Sequence, residues 1–208
     1  VFITAYVAAQ LNAGAKTLST ALELPLGVSL VAAVALILVY MVLGGYVAVV
    51  YNDVLRAVIM LIGLVVLPIV GLAQIGGLDA LTTQLPPAHL DPLSLVFGAL
   101  IGFVGIGLGS PGQPHIVVRY MSIDDPRQLR WSAIIGTLSN VVLGLGAICI
   151  GLVGRVVVPE LADLPGEDPE MVYLVLSAEY FGPLLYGLLV GGVFAAIAST
   201  ADSKLFVV

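Results

Sequence analysis

Oxygen ligands gather near the C-terminal end of the sequence, where Ser199-Thr200-Ala201-Asp202-Ser203 stands inside an apolar run. Two adjacent hydroxyls, a carboxylate and a third hydroxyl follow a row of small residues, Gly187, Gly191, Gly192, Ala195 and Ala196. Hard cations take oxygen ligands from hydroxyls, carbonyls and carboxylates. A monovalent cation needs several oxygens but little formal charge, so hydroxyls with backbone carbonyls suit sodium. The plain alternative is that the hydroxyls bond their own helix backbone. A second group is Asp53 with Arg56 three residues on. It is either a surface pair on one helical turn, worth about 0.2–0.5 kcal/mol, or a carboxylate facing an aqueous ion pathway. The third is Gly105-Ile106-Gly107-Leu108-Gly109-Ser110-Pro111-Gly112-Gln113-Pro114-His115 at the end of an apolar run. Glycine frees the backbone and proline removes a donor, so this stretch predicts a broken helix. Within hydrocarbon, irregular backbone is tolerated only where protein or a water-filled cavity surrounds it. The break is therefore a ligand or ion site at membrane depth, or a loop outside the bilayer.

Other chemistry finds no support. His115 has no second metal ligand at helical spacing and no partners for hydrolysis; its expected role is to cap or orient the chain leaving the break. His89, beside Pro86-Pro87, reads as solvent-exposed, and Cys149 stands alone in an apolar run, which excludes a disulfide framework within the chain. There is no phosphate-binding glycine loop and no nucleophile triad. The reading is a non-enzyme without a cofactor. Charged residues make up 10% of the chain, against roughly 25% in soluble domains. The net charge of −6 is concentrated in one loop and gives no reason to invoke nucleic acid.

The elements that would position these groups are membrane helices. With 60% hydrophobic residues and a mean hydropathy of +1.15, the chain reads as an all-α integral membrane protein whose partner is the lipid bilayer. Six apolar segments are expected: 1 to about 14, 27–50, 54–75, 93–109, 131–158 and 181 to the end. A span needs about 20 residues. Pro68 predicts a kink in the third segment, and Gln10 and Asn12 in the first should face the bundle. Arg56, Arg119, Arg127 and Arg130 fall on one side, Lys16 and Arg155 on the other with Glu160, Asp163, Glu167, Asp168 and Glu170. The positive-inside rule places the former in the cytoplasm and the acidic loop, with Asp79 and Asp91, outside. Both ends lie in apolar sequence, so residues 1–208 read as one transmembrane domain truncated at both ends. Glycine rows such as Gly98, Gly102 and Gly105 are expected to serve close packing.

Gly107-Leu108-Gly109 followed by Gly112-Gln113-Pro114-His115-Ile116-Val117-Val118-Arg119 resembles a motif of the sodium:solute symporter family. Gly44-Gly45-Tyr46-Val47-Ala48-Val49 with Asp53, and Ala196 through Ser203, are similar to two further family motifs in the expected order. Ala13-Gly14-Ala15-Lys16 resembles the small-small-small-basic ending of an earlier helix. The resemblance implies a partial inverted-repeat core of five plus five helices. Its third to eighth members would be present here, the sixth unwound, with the first, second, ninth and tenth as missing partners from the same parent chain. It implies a sodium site shared between the first and eighth core helices, with Ala196, Ser199 and Thr200 as this chain's donors. Asp53 matches an acid of the cytoplasmic sodium pathway, to which Asp202 is added as a candidate. Tyr6, Ile106, Ser110 and Gln113 become substrate-cavity positions.

The implied function is sodium-coupled symport of a small organic solute, such as an amino acid or carboxylate, by alternating access in a bacterial-type plasma (inner) membrane. Sodium is the coupling ion. Ile106 and Ser110 stand where the proline branch has aromatic residues, and Lys204 where a neutral polar residue is usual, which argues against proline. Asp202 could pair with Lys204, although residues two apart do not face each other on a helix. Two alternatives remain: a sensor domain of symporter-like fold, supported by any C-terminal signalling module, and a proton-coupled carrier relying on Asp53 or Asp202.

Overall fold

The computed structural model describes residues 2–91 and 97–205; within them, the side chains of residues 2, 40, 41, 44–49, 52, 88, 97, 99, 100, 103, 110 and 115 lie outside the description. The described elements are helical: α1 (Phe2–Leu22), α2 (Leu26–Ile75), α3 (Gly77–Gln84), α4 (Pro87–Leu90), α5 (Phe97–Gly109), α6 (Pro114–Met121), α7 (Gln128–Val157), α8 (Val172–Tyr180) and α9 (Pro183–Leu205). The principal contacts join α2 to α7, α1 to α9, α2 to α9 and α1 to α2.

The α1 helix continues eight residues beyond the expected end near Gly14. Gly14 lets Ala33, Phe194 and Ile197 approach its backbone. Lys16 is held by Asp168 Oδ2 at 2.6 Å and Glu170 Oε2 at 3.1 Å. Glu23, in the left-handed region at φ 53°, and Pro25 then end the helix. Gln10 is half-buried, while Asn12 is exposed rather than facing the bundle.

Helical backbone runs unbroken through α2, where two spans and a turn are expected. The helix nevertheless reverses. Ala33 meets Gly14 beside Phe194 and Ile197, and Ile37 meets Ala198 and Ala201, so numbering rises together. Further on, Ile59 meets Gly192 and Gly63 meets Leu189, so numbering runs oppositely. A straight helix would separate Ile37 from Gly63 by about 39 Å, whereas Ala201 and Leu189 lie only about 18 Å apart along α9. The chain thus turns back between Ile37 and Ile59, inside the segment assigned to α2.

Three described helices are long and apolar enough to cross a membrane: Asp53–Ile75, Gln128–Val157 and Pro183–Leu205. Ile3–Leu22 and Leu26–Val39, bent by 117°, would add a fourth if they form one span. Six are expected, and the 27–50 segment includes residues 40, 41 and 44–49, whose side chains lie outside the description. The expected 93–109 span falls partly on residues outside the description, and its described part, α5, has 13 residues. That length covers about 20 Å of the roughly 30 Å hydrocarbon core.

The core lies at the end of the bundle near the acidic loop. Leu67 of α2, Leu81 and Leu85 of α3, Ile150 and Val153 of α7, and Leu176 of α8 form one buried cluster. Gly146 brings α7 against α2 so closely that a Cβ there would meet the Leu64 carbonyl. Gly76, at φ 97°, supplies the left-handed residue that ends α2 and starts α3. Among the expected packing glycines, Gly192 is filled by Ile59, whereas Gly98, Gly102, Gly105, Gly187 and Gly191 meet no neighbour among the described residues. Asp79 and the acidic loop share the core end with Lys16, and Arg56 and Arg119 stand together at the other.

Candidate functional site

The C-terminal half of α9 is a run of buried polar residues in an apolar helix. Ala201 and Asp202 are fully buried, and Ser203 and Lys204 each retain 8% exposure. Small side chains at Ala198 and Ala201 let Ile37 close over one face. Ser199 Oγ and Thr200 Oγ1 donate to the Ala196 carbonyl at 3.2 and 2.9 Å. The three expected sodium donors are thus gathered within one turn, in the back-bonded arrangement open to any hydroxyl-bearing helix.

One turn further on, four charged residues and a serine close a ring across α2, α6 and α9. Arg119 Nη2 donates to Asp53 Oδ2 at 2.5 Å and to Ser203 Oγ at 2.7 Å. Ser203 Oγ donates to Asp202 Oδ1 at 3.3 Å. Arg56 Nη1 lies 3.9 Å from Asp202 Oδ2 and 3.7 Å from Asp53 Oδ1. Two carboxylates face two guanidiniums, so the ring is neutral. Asp53 and Arg56 are not a surface pair: their side chains keep 17% and 7% exposure. A buried charge is costly unless paired; Asp53 meets Arg119 by a hydrogen bond, and Arg56 meets both carboxylates as longer ion pairs. A cleft of about 540 Å³ opens beside it, lined by Asp53, Arg119, Ser122, Asp124, Gln128 and Ser132 among others.

The helix break is narrower than its glycines predict. The α5 helix continues through Gly105, Gly107 and Gly109. A single 3₁₀ turn over Ser110–Gly112 and extended Gln113 (φ −69°, ψ 135°) then precede α6, with Pro114 at its first position. His115 belongs to the first turn of α6, its side chain outside the description. From the break, Gln113 Oε1 accepts from Lys204 Nζ at 3.1 Å, and the same ammonium lies 3.5 Å from the centroid of the Tyr6 ring. Tyr6 and Gln113 are therefore brought together, joining α1, the break and α9. Ile106 is 69% exposed on α5 and stands outside this cluster, and the Ser110 side chain lies outside the description. Lys204 does not pair with Asp202; their directions differ on the helix, and Asp202 turns to Arg56. The sequence reading missed the ring through Arg56, Arg119 and Ser203; an arginine within an apolar span was the signal for it.

Apolar helices surrounding a neutralised charge cluster define an integral membrane protein. The chain belongs to the sodium:solute symporter family, whose model matches residues 1–208. It is similar to sodium/proline symporter 2 of Staphylococcus saprophyticus, with 36% identity over 212 residues, and to the sodium/proline symporter of Staphylococcus aureus, with 35% over 210. Each alignment takes in 100% of this chain and 41% of the relative, so the chain spans about two-fifths of the length of the relatives it matches. No solved structure gives a significant match.

Proposed function

We propose that these residues form part of the core of a sodium-coupled symporter for a small organic solute, working by alternating access in a bacterial-type plasma membrane. The carrying observation is the convergence of the Ala196 carbonyl with the Ser199 and Thr200 hydroxyls in a chain of this family. A hydroxyl that donates to a carbonyl still offers its own lone pairs. Sodium drawing on Ala196 as well would compete with the Ser199 hydrogen bond, the longer of the two. The remaining ligands would come from a helix elsewhere in the full-length protein, in an inverted-repeat core of five plus five helices. Asp53 and Asp202 fit the cytoplasmic exit for the ion, and the cleft beside Asp53 offers it a polar route.

Sodium binding would favour the conformation that also binds solute, and the coupling is reciprocal. The membrane potential contributes about 2.3 kcal/mol per charge per 100 mV. That alone gives more than tenfold accumulation, since about 1.4 kcal/mol is a factor of ten. The relatives are named as proline symporters; Ile106, Ser110 and Lys204 support a different amino acid or a carboxylate.

The test is uptake by the full-length protein in proteoliposomes, with labelled amino acids and small carboxylates, with and without a sodium gradient. Sodium-driven uptake abolished by Ser199→Ala with Thr200→Ala is the expected result. Uptake indifferent to sodium but driven by a proton gradient, and dependent on Asp53 or Asp202, would replace it with a proton-coupled carrier.

A further inference from the structure

Lys204 is the cation that the ring leaves over. Asp53 and Asp202 face Arg56 and Arg119. Among the described residues, the partners of Lys204 are neutral: an amide oxygen at 3.1 Å and an aromatic face at 3.5 Å. Burying an ammonium without a counter-charge is unfavourable. The cation–π contact with the half-exposed Tyr6 ring offsets only part of this, and one amide oxygen satisfies one of three ammonium donors. The remaining charge calls for an anion. Its position is informative, because Lys204 touches Tyr6 and Gln113, two residues of the proposed solute cavity. Gln113 also immediately precedes α6, whose first turn has no side-chain cap. A helix N-terminus carries partial positive charge, so a second positive feature stands beside the ammonium.

We propose that Lys204 is the counter-charge for the solute's carboxylate, and that the site selects monocarboxylates lacking an amino group. The inference rests on the solute cavity proposed above. A carboxylate would pair with Lys204 Nζ, while Gln113 and Tyr6 hold the lysine in place. An amino acid would bring its own ammonium to a site that already holds one. Like charges at close range in a desolvated cavity penalise such a ligand.

The test uses the full-length protein in detergent with sodium chloride, measuring equilibrium binding of labelled acetate, pyruvate and benzoate against proline and alanine. At least one monocarboxylate should bind tenfold or more tightly than either amino acid, a comparison that needs no variant. Lys204→Gln should weaken that carboxylate at least tenfold, and Lys204→Arg should restore most of the loss. Proline or alanine binding as well as every carboxylate, or carboxylate binding unchanged in Lys204→Gln, overturns the proposal. So does competition showing that chloride alone occupies the site. Sodium dependence of binding separates the two readings. Carboxylate binding lost in Lys204→Gln but independent of sodium would keep the lysine's role and remove symport, whereas sodium-dependent binding of proline unaffected by Lys204→Gln would do the reverse.

Discussion

Replacing Asp202 by Asn removes one charge from the most buried pair in the ring. Asp202 is fully buried and the Arg56 side chain is 7% exposed, so Arg56 is left with a shortfall of counter-charge away from water. Removing one partner of a buried pair costs about 3–5 kcal/mol. The 3.9 Å separation and the second carboxylate, Asp53 at 3.7 Å, put the expected loss at the lower end of that range. A loss of about 3 kcal/mol is on the order of a hundredfold in the unfolding equilibrium. Arg119→Gln breaks a much shorter contact, 2.5 Å, yet the Arg119 side chain is 44% exposed. Solvent screening then limits its cost to about 0.2–1 kcal/mol. Burial should therefore outrank distance. Denaturation of the full-length protein in mixed micelles, followed by circular dichroism, measures both losses. Adding Arg56→Gln to Asp202→Asn should recover part of the stability by removing the excess positive charge. The reasoning is refuted if Arg119→Gln costs as much as Asp202→Asn, or if Asp202→Asn stays within about 0.5 kcal/mol of wild type.

Gly146→Ala should destabilise by about 1–3 kcal/mol, because the new Cβ must displace the Leu64 backbone; the same denaturation assay checks it. The hydrogen bond from Lys16 and then the backbone N–H of Glu170 hold the Asp168 carboxyl below the usual carboxylate range. A lowered carboxylate pKa contributes stability that is present above the ordinary value and lost as pH falls through the folded-state value. The tether between α1 and the acidic loop should therefore persist below the usual carboxylate range and open only in stronger acid. In Lys16→Met, carbon-detected titration of Asp168 should move up toward the ordinary value; an unmoved titration would deny the pair its role.

Membrane helices were legible because apolar runs of 20 or more residues have few alternatives; α7 begins and ends, and α9 begins, within a few residues of the expected limits. The helix at α2 was harder. The charged pair at Asp53–Arg56 suggested a turn there, whereas the backbone is helical at those positions and the change of direction falls between Ile37 and Ile59. At the break, three glycines inside α5 were read as breakers, yet each costs a helix only about 1 kcal/mol. The adjoining prolines remove backbone donors, and the irregular part lies beside Pro111 and Pro114. The α9 donors were legible as a cluster of oxygens. The ring was not, since Asp53, Arg119 and Ser203 are 66 and 84 positions apart and only the fold joins them.

Sodium affinity of the full-length protein tests the central claim most directly. Radiolabelled sodium binding should be saturable in wild type and weakened at least tenfold by Ser199→Ala with Thr200→Ala, with the melting temperature little changed. Equal sodium affinity in the wild type and the double variant would contradict the assignment of the ion to α9.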